Sequence, residues 1–361
     1  MRFLSIKKIA KEAGVSTATV SRVLNNPGYK CSSEELRERI WKIARELNYM
    51  PNEAARNLKK GITDTSQKVW YLDVLMTRTG NLETDPFFSE LLRVIESEIH
   101  RQGCILMHIF HQPLFSNDRK CRTENIDKVI AQMEPDGDIR SDGLIIIGKC
   151  NDNVLKKLSA KYKSIVSVNR NSTNYLVDEV ICDGKRIAAL AVEYLIGLGH
   201  RKIGYVGDCH NESRYKGYQD TLFHYGIDMD ISYVIEAEHT EAEGYAVMER
   251  LIQRGDAPTA IYCANDMIAI GMLKCLNKYK NRYYVPSIIS SDDIEEAQYT
   301  KPMLTSVRLP KEEMGKFALY MLVDRLSGGH KGIVRTELEG KLMIRESCTL
   351  VENANRMEYY I

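Results

Sequence analysis

The chain has 361 residues, with 50 Lys and Arg against 49 Asp and Glu, a formal net charge of +1, and 44% hydrophobic residues. That length exceeds one simple core and calls for two or three domains, and no stretch approaches the roughly 20 apolar residues that a membrane span needs. The opening MRFLSIKKIAKEAG lacks an apolar secretory core and the nine cysteines are scattered without a C-x-x-C pair, so free thiols in a reducing cytoplasm are expected. The near-neutral total hides a division. Residues 1–60 carry 13 Lys and Arg against 6 Asp and Glu, a net of +7, while the other 301 residues carry 37 against 43, a net of −6. A small basic module on a larger acidic one suits a polyanion-binding head on a body that polyanions do not attract.

In chain order, three short helices are predicted over residues 5–48. Ser5 is placed to cap the first, which runs to Ala13, and Gly14 supplies the turn. Ser16 caps a second helix that reaches about Leu24 and stops at Asn25-Asn26-Pro27-Gly28. Ser32 with Glu35 forms an S-x-x-E box before a third helix, in which Leu36, Ile40, Ile43, Ala44 and Leu47 recur at helical spacing. Ala10, Gly14 and Val20 have the spacing of a helix-turn-helix: a small residue where the helices cross, glycine at the turn, and an apolar residue that packs the second helix on the first.

From about Lys68 apolar strands alternate with amphipathic helices. Strands are predicted at 69–76, 104–110, 143–147, 164–168, 202–206, 260–263 and 285–290, with helices at 87–102, 125–133, 185–198, 214–225, 242–253 and 267–279. This is the pattern of an α/β body with parallel sheets, long enough for two lobes. Residues 113–122 read as a polar loop.

SIKKIAKEAGVSTATVSRVLNN (5–26) and ELNYMPNEAARNLKKG (46–61) resemble the headpiece and hinge of the lactose-repressor (LacI/GalR) family. DPFFSELLRVIE (85–96), LIGLGHRKIGYVG (195–207), CANDMIAIG (263–271) and SSDDIEEAQYTKPMLTSVRLPKEEMG (290–315) carry the resemblance through the body. It implies an all-α helix-turn-helix headpiece over 1–49, a hinge helix and linker over 50–67, and an effector-binding and dimerisation domain over 68–361. That domain would have two Rossmann-like lobes of periplasmic-binding-protein type. The implied activity is sequence-specific DNA binding by a cytoplasmic homodimeric repressor, controlled allosterically by a small molecule of carbohydrate type.

The resemblance places Thr17, Ala18 and Arg22 at base edges. Arg22 can bond guanine O6 and N7 together, and the methyls of Thr17 and Ala18 suit thymine. Ser16, Thr19, Ser21 and Asn25 are short polar residues suited to phosphates. Residues 51–60 match the hinge, whose apolar stripe of Ala54, Ala55 and Leu58 is too small to hold an isolated helix in water. The family inserts the residue at Leu58 into the minor groove as a wedge that bends the duplex.

For the effector, the matching positions are Phe87, Phe88, Asn169, Arg214, His239, Asn265 and Asp292. Amide, carboxylate and guanidinium groups hydrogen-bond hydroxyls while an aromatic ring covers an apolar sugar face. Phe87 and Phe88 suit a dimer core equally well, His239 suits a solvent-facing position as well as a ligand contact, and of Asp292 and Asp293 only one need face ligand. Asn169 stands where the family commonly has aspartate.

Neither a metal site nor a cofactor is expected. The segment from Gly143 to Cys150 nearly spells a phosphate-binding loop, but an apolar strand fills its middle and Cys150 stands in place of the Ser or Thr that would meet magnesium. His108 and His111, three apart on a strand, point to opposite faces. No G-x-G-x-x-G or G-x-S-x-G follows a strand, and no catalytic constellation is found. The competing readings are a sugar-modifying α/β enzyme with a chance helical leader and an extracytoplasmic solute-binding protein with the same core.

Overall fold

The computed structural model describes residues 6–25, 33–46, 69–78, 85–117, 120–133, 140–210, 212–279 and 284–353. The chain packs as two units, Met1–Val69 and Trp70–Ile361.

Among its described residues the first unit holds three helices, α1 (Ile6–Ala13), α2 (Thr17–Asn25) and α3 (Glu34–Glu46). Helices this short do not persist alone in water, so the core they share must hold them. Ile9, Ala10, Ala13, Val20, Val23 and Ile40 form that core, with Val15, Leu36 and Ile43 packed at its edge. Gly14 adopts the left-handed φ of 67° at the turn, and Val15 N donates to Ala10 O across it at 3.0 Å. Arg39 Nη2 donates to Ala13 O at 2.9 Å and ties α3 to the same turn. The cap of α3 falls one residue later than the S-x-x-E box indicates, because Ser33 Oγ accepts from Leu36 N at 3.2 Å. The expected caps Ser5 and Ser32 lie outside the described residues.

The second unit contains two six-stranded sheets. The first lobe holds β1 (Tyr71–Met76), β2 (Ile105–His111), β3 (Gly143–Ile147), β4 (Ser164–Asn169) and β5 (Asp178–Ile181), with helices α4 (Pro86–Arg101), α5 (Lys120–Thr123), α6 (Ile126–Ala131) and α7 (Asp152–Ser159). The second holds α8 (Gly184–Gly197), β6 (Ile203–Gly207), α9 (Ser213–His224), β7 (Val234–Glu236), α10 (Glu241–Ile252), β8 (Ala260–Cys263), α11 (Asp266–Tyr279), β9 (Ser287–Asp292) and β10 (Thr305–Arg308). Then α12 (Lys311–Leu326) and β11 (Arg335–Glu337) return to the first lobe, and β12 (Lys341–Met343) to the second.

The strand orders are β11-β5-β4-β3-β1-β2 and β12-β10-β9-β8-β6-β7, parallel throughout except for the β10–β12 pair. Parallel strands covered on both faces need continuous apolar runs, and β3, Gly-Leu-Ile-Ile-Ile, is buried at every position. Asp73 interrupts the run in β1 but is satisfied, since Tyr162 donates to it at 2.8 Å and His108 Nδ1 lies 3.0 Å away. The chain crosses between lobes after β5, after β10 and after β11, so the carboxyl ends of both sheets frame one cleft.

The alternation read from the sequence agrees with this α/β body. It misses β5, β7, β10, β11, β12, α7 and α12. The stretch 113–122 is not a plain loop: a 3₁₀ turn at Pro113–Ser116 buries Phe115, and α5 follows and buries Cys121.

Candidate functional site

On α2, Val20 and Val23 face the small core. Helical geometry therefore puts Thr17 and Arg22 on the opposite side. Thr17 and Arg22 are exposed and Thr19 is half-buried. Ser16 Oγ accepts from Thr19 N at 3.1 Å and lies 2.9 Å from Thr19 Oγ1, so it caps the helix while remaining on the surface. Asn25 ends α2. Leu58 and the rest of 51–60 lie outside the described residues.

In the second unit the carboxyl ends of the strands carry the polar residues. β1 leads to Thr77 and Arg78, β4 ends at Asn169 before Arg170, β8 leads to Asn265, and β9 ends at Asp292. Ligands of open parallel sheets sit at these ends. Phe87 and Phe88, on the first turn of α4, are both buried and meet edge to face with centroids 5.2 Å apart. The Arg170 guanidinium lies 4.2 Å from the Phe87 ring centroid, a cation–π contact, and Lys311 Nζ lies 5.8 Å from it.

Arg214 is fully buried at the start of α9. Its Nε and Nη2 each donate to Glu212 at 3.0 Å, and its Nη1 donates to the Ala264 carbonyl. Burial alone would push the Glu212 carboxyl up, but the charge and hydrogen bonds of Arg214 outweigh it and hold the carboxyl well below its ordinary value. Asp292 accepts from Arg170 Nη2. Burial pushes the Asp292 carboxyl up to about 6 against the attraction of Arg170 and Arg214. Asp292 and Asp293 both have left-handed backbone, at φ 120° and 49°, an unfavourable state for non-glycine residues that clusters at binding sites.

The choice between the two aspartates is legible in their partners. Asp293 is saturated by Arg308 at 2.6 Å and Arg345 at 2.5 Å, which makes it a strut of the second lobe. Asn265 is also engaged: its Oδ1 accepts from Ile268 N at 3.1 Å, and its Nδ2 donates to the His239 carbonyl at 3.2 Å. It holds the loop that carries His239. Asn169, half-buried, accepts from Arg170 N at 2.7 Å. His239 stands between two guanidinium groups, with Nδ1 2.9 Å from Arg78 Nη2 and Nε2 3.2 Å from Arg214 Nη2. Burial, then the charges of Arg78 and Arg214, push its pKa well down, so the ring is neutral.

Phe87, Arg214, His239 and Asp292 thus surround one cleft, with Asn169 and Asn265 as its supports. Arg78, Arg170 and Glu212 complete it and were not foreseen. Each stands beside a foreseen residue or at a strand end, but only the tertiary pairing reveals its role. Among the described residues no group of three or more His, Cys, Asp or Glu is placed to hold a metal, and no helix is long and apolar enough to cross a membrane.

Two family models match the chain, that of bacterial regulatory proteins of the lacI family over residues 5–52 and that of a periplasmic binding protein-like domain over 192–348. The HTH-type transcriptional repressor MelR of Bacillus subtilis (strain 168) is 30% identical over 357 residues, covering 95% of this chain and 97% of its own. The chain belongs to the LacI family of bacterial regulatory proteins. Solved structures that share its fold include the following two. One is the complex of the transcriptional regulator CelR with cellobiose, at TM-score 0.63 and 23% identity, covering 96% of this chain and 100% of that one. The other is the lac repressor dimer bound to operator and the anti-inducer ONPF, at TM-score 0.63, 22% identity and the same coverage. This LacI-family protein is therefore a DNA-binding transcription regulator of repressor type with a small-molecule-binding core.

Proposed function

We propose that this regulator acts as a cytoplasmic homodimeric repressor, without catalytic activity, whose effector is a carbohydrate or carbohydrate derivative held between the lobes of residues 68–361. The cleft carries this reading, because buried Arg214 and Asp292 and the Phe87 ring converge at the carboxyl ends of both sheets. An aromatic face with charged hydrogen-bonding groups suits a polyol. The sugar ligand of the CelR complex, which has the same fold, supports the choice of class.

On DNA, α2 of residues 1–49 would enter the major groove of each half of a near-palindromic operator, with Thr17, Ala18 and Arg22 toward bases and Ser16, Thr19, Ser21 and Asn25 toward phosphates. The dimeric state of the operator-bound lac repressor supports the two-fold arrangement. The hinge 51–60 would fold when two copies meet on DNA, with Leu58 as the wedge. Effector and operator must then be coupled reciprocally, each changing the other's affinity by the same factor.

The test is a thermal-shift screen of the full chain against sugars and sugar derivatives, followed by titration of the hit with free and operator-bound protein. A hit should raise the melting temperature and lose affinity in Asp292→Asn, and its affinity should change on the operator. A hit bound equally well by Asp292→Asn would move the effector out of the cleft.

A further inference from the structure

Among the described residues, the guanidinium donors in the cleft outnumber the acceptors that its acids offer them. Three guanidinium groups, of Arg78, Arg170 and Arg214, meet around the His239 ring and the Phe87 face. Glu212 is committed to Arg214 and Asp292 to Arg170. Asp85 accepts from Phe88 N at 3.3 Å as the cap of α4. Lys311 is paired with Glu90. Among the described residues, the hydrogen-bond partner of Arg78 is the neutral imidazole of His239.

That imidazole cannot serve both of its neighbours. A neutral ring has one nitrogen with a lone pair and one bearing a proton, yet guanidinium donors face both nitrogens. One of the two contacts therefore sets a donor against a donor. Arg170 repeats the shortfall, since its side chain is only 9% exposed and its Nε is buried without a hydrogen-bond partner. Unpartnered buried donors are uncommon and call for an acceptor.

The backbone makes room for Arg78. Gly148, just after β3 at φ 102°, lies where an added Cβ would come within 2.7 Å of Thr77 Oγ1 and 2.9 Å of Arg78 Cγ. Glycine lets the Arg78 stem pass. Burial, then the repulsion of Arg214 and Arg170, lowers the Arg78 pKa despite the attraction of Glu212 and Asp85.

We infer that the effector carries an anionic group, a phosphate or a carboxylate, whose oxygens accept from Arg78 and its neighbours Arg170 and Arg214 around His239. This rests on the cleft being the effector site and narrows the class from neutral sugars to phosphorylated or acidic ones. An anionic oxygen accepts from several guanidinium donors at once, and more strongly than a neutral hydroxyl does.

The experiment compares sodium phosphate, glucose 6-phosphate, glucuronate and glucose by thermal shift on the full chain, at constant ionic strength made up with sodium chloride. The transition followed is that of the second unit, read in a Trp41→Phe background so that emission comes from buried Trp70. Phosphate should stabilise the wild type beyond chloride, Arg78→Gln should bind it about tenfold more weakly or worse, and Arg78→Lys should retain part of the effect. Because the basic headpiece also attracts phosphate, only the part removed by Arg78→Gln counts. Phosphate and chloride acting alike, or Arg78→Gln behaving as wild type, overturns the anion subsite. If glucose nevertheless binds and Asp292→Asn loses it, the cleft reading stands without the subsite. If phosphate binding depends on Arg78 and no sugar or sugar derivative binds better than phosphate, the subsite stands and the carbohydrate reading fails.

Discussion

On α2, Thr17 and Arg22 stand on the side turned away from a small apolar core, whereas in the cleft the assigned residues are themselves the buried lining and are tied to one another by charge. The core of the first unit is apolar among the described residues, and Thr17 and Arg22 lie outside it. In the second unit Arg214, Asp292 and Asn265 are at most 3% exposed and all have internal partners. A substitution on the DNA face should therefore change affinity with little change in stability. One in the cleft should change both.

The largest expected effect comes from breaking the Glu212–Arg214 pair. Glu212→Gln leaves a buried guanidinium without its carboxylate, which should cost about 3–5 kcal/mol in urea denaturation of the second unit. Replacing both residues, Glu212→Gln with Arg214→Met, should recover part of the loss because the orphaned charge is gone. An additive double variant would mean that the pair is not coupled.

Asp266 sharpens the contrast through pH. It is buried at the head of α11, accepting from Ser290 Oγ at 2.5 Å, Ser306 Oγ at 2.6 Å and Ile294 N at 2.8 Å. Burial, then the charge of Asp292, pushes its carboxyl up to about 7. The folded state then holds a proton that the unfolded chain releases near pH 4, so stability is full below about pH 4 and declines as pH rises to about 7. Asp266→Asn should flatten that decline, by at most about 4 kcal/mol across the window, at about 1.4 kcal/mol for each pH unit. Equal slopes in wild type and variant would show that the three donors offset burial. The first unit, whose described core holds no titratable group, should show no such slope.

The same contrast explains what was legible in advance. The headpiece could be placed because its information is local: residues 5–26 contain the caps, the turn glycine and the helical period that decides which face is buried. The strands of continuous apolar residues, such as β3 and β8, were legible for the same reason. Strands β5, β11 and β12 are short and their character comes from neighbours far along the chain, as when β11 pairs with β5 from more than 150 residues away. In the cleft, type and position pointed to Arg214 and Asp292, but nothing local says that Asn265 will spend its amide on backbone or that Asp293 will be saturated by Arg345. Arg78 is a lone arginine after a strand, ordinary in sequence until His239, from the other lobe, meets it at 2.9 Å.

On the DNA face, Arg22→Ala should cost about 1–3 kcal/mol of operator affinity and relax the preference at one base position in each half-site. Melting of both units should hardly move. Affinity falling equally on every sequence, with a shallower salt dependence, would make Arg22 a phosphate contact instead.

The smallest effect separates the two roles that meet at Ser16. Its hydroxyl caps α2, and the same residue is assigned to a phosphate. Ser16→Ala removes the acceptor for Thr19 N, which should lower the stability of the first unit by about 0.5–2 kcal/mol and leave the second unit's transition in place. Operator affinity should fall as well, both because α2 frays and because a donor to phosphate is gone. Ser16→Asp distinguishes the causes: a carboxylate caps a helix N-terminus as well as a hydroxyl does, so stability returns, but it repels the DNA backbone, so affinity stays low or drops further. If Ser16→Asp restores both, the hydroxyl serves the helix alone and the phosphate belongs to another residue. If Ser16→Ala leaves the first unit's melting unchanged, the 3.1 Å contact contributes nothing measurable and the core of Ile9, Val20 and Ile40 holds α2 by itself.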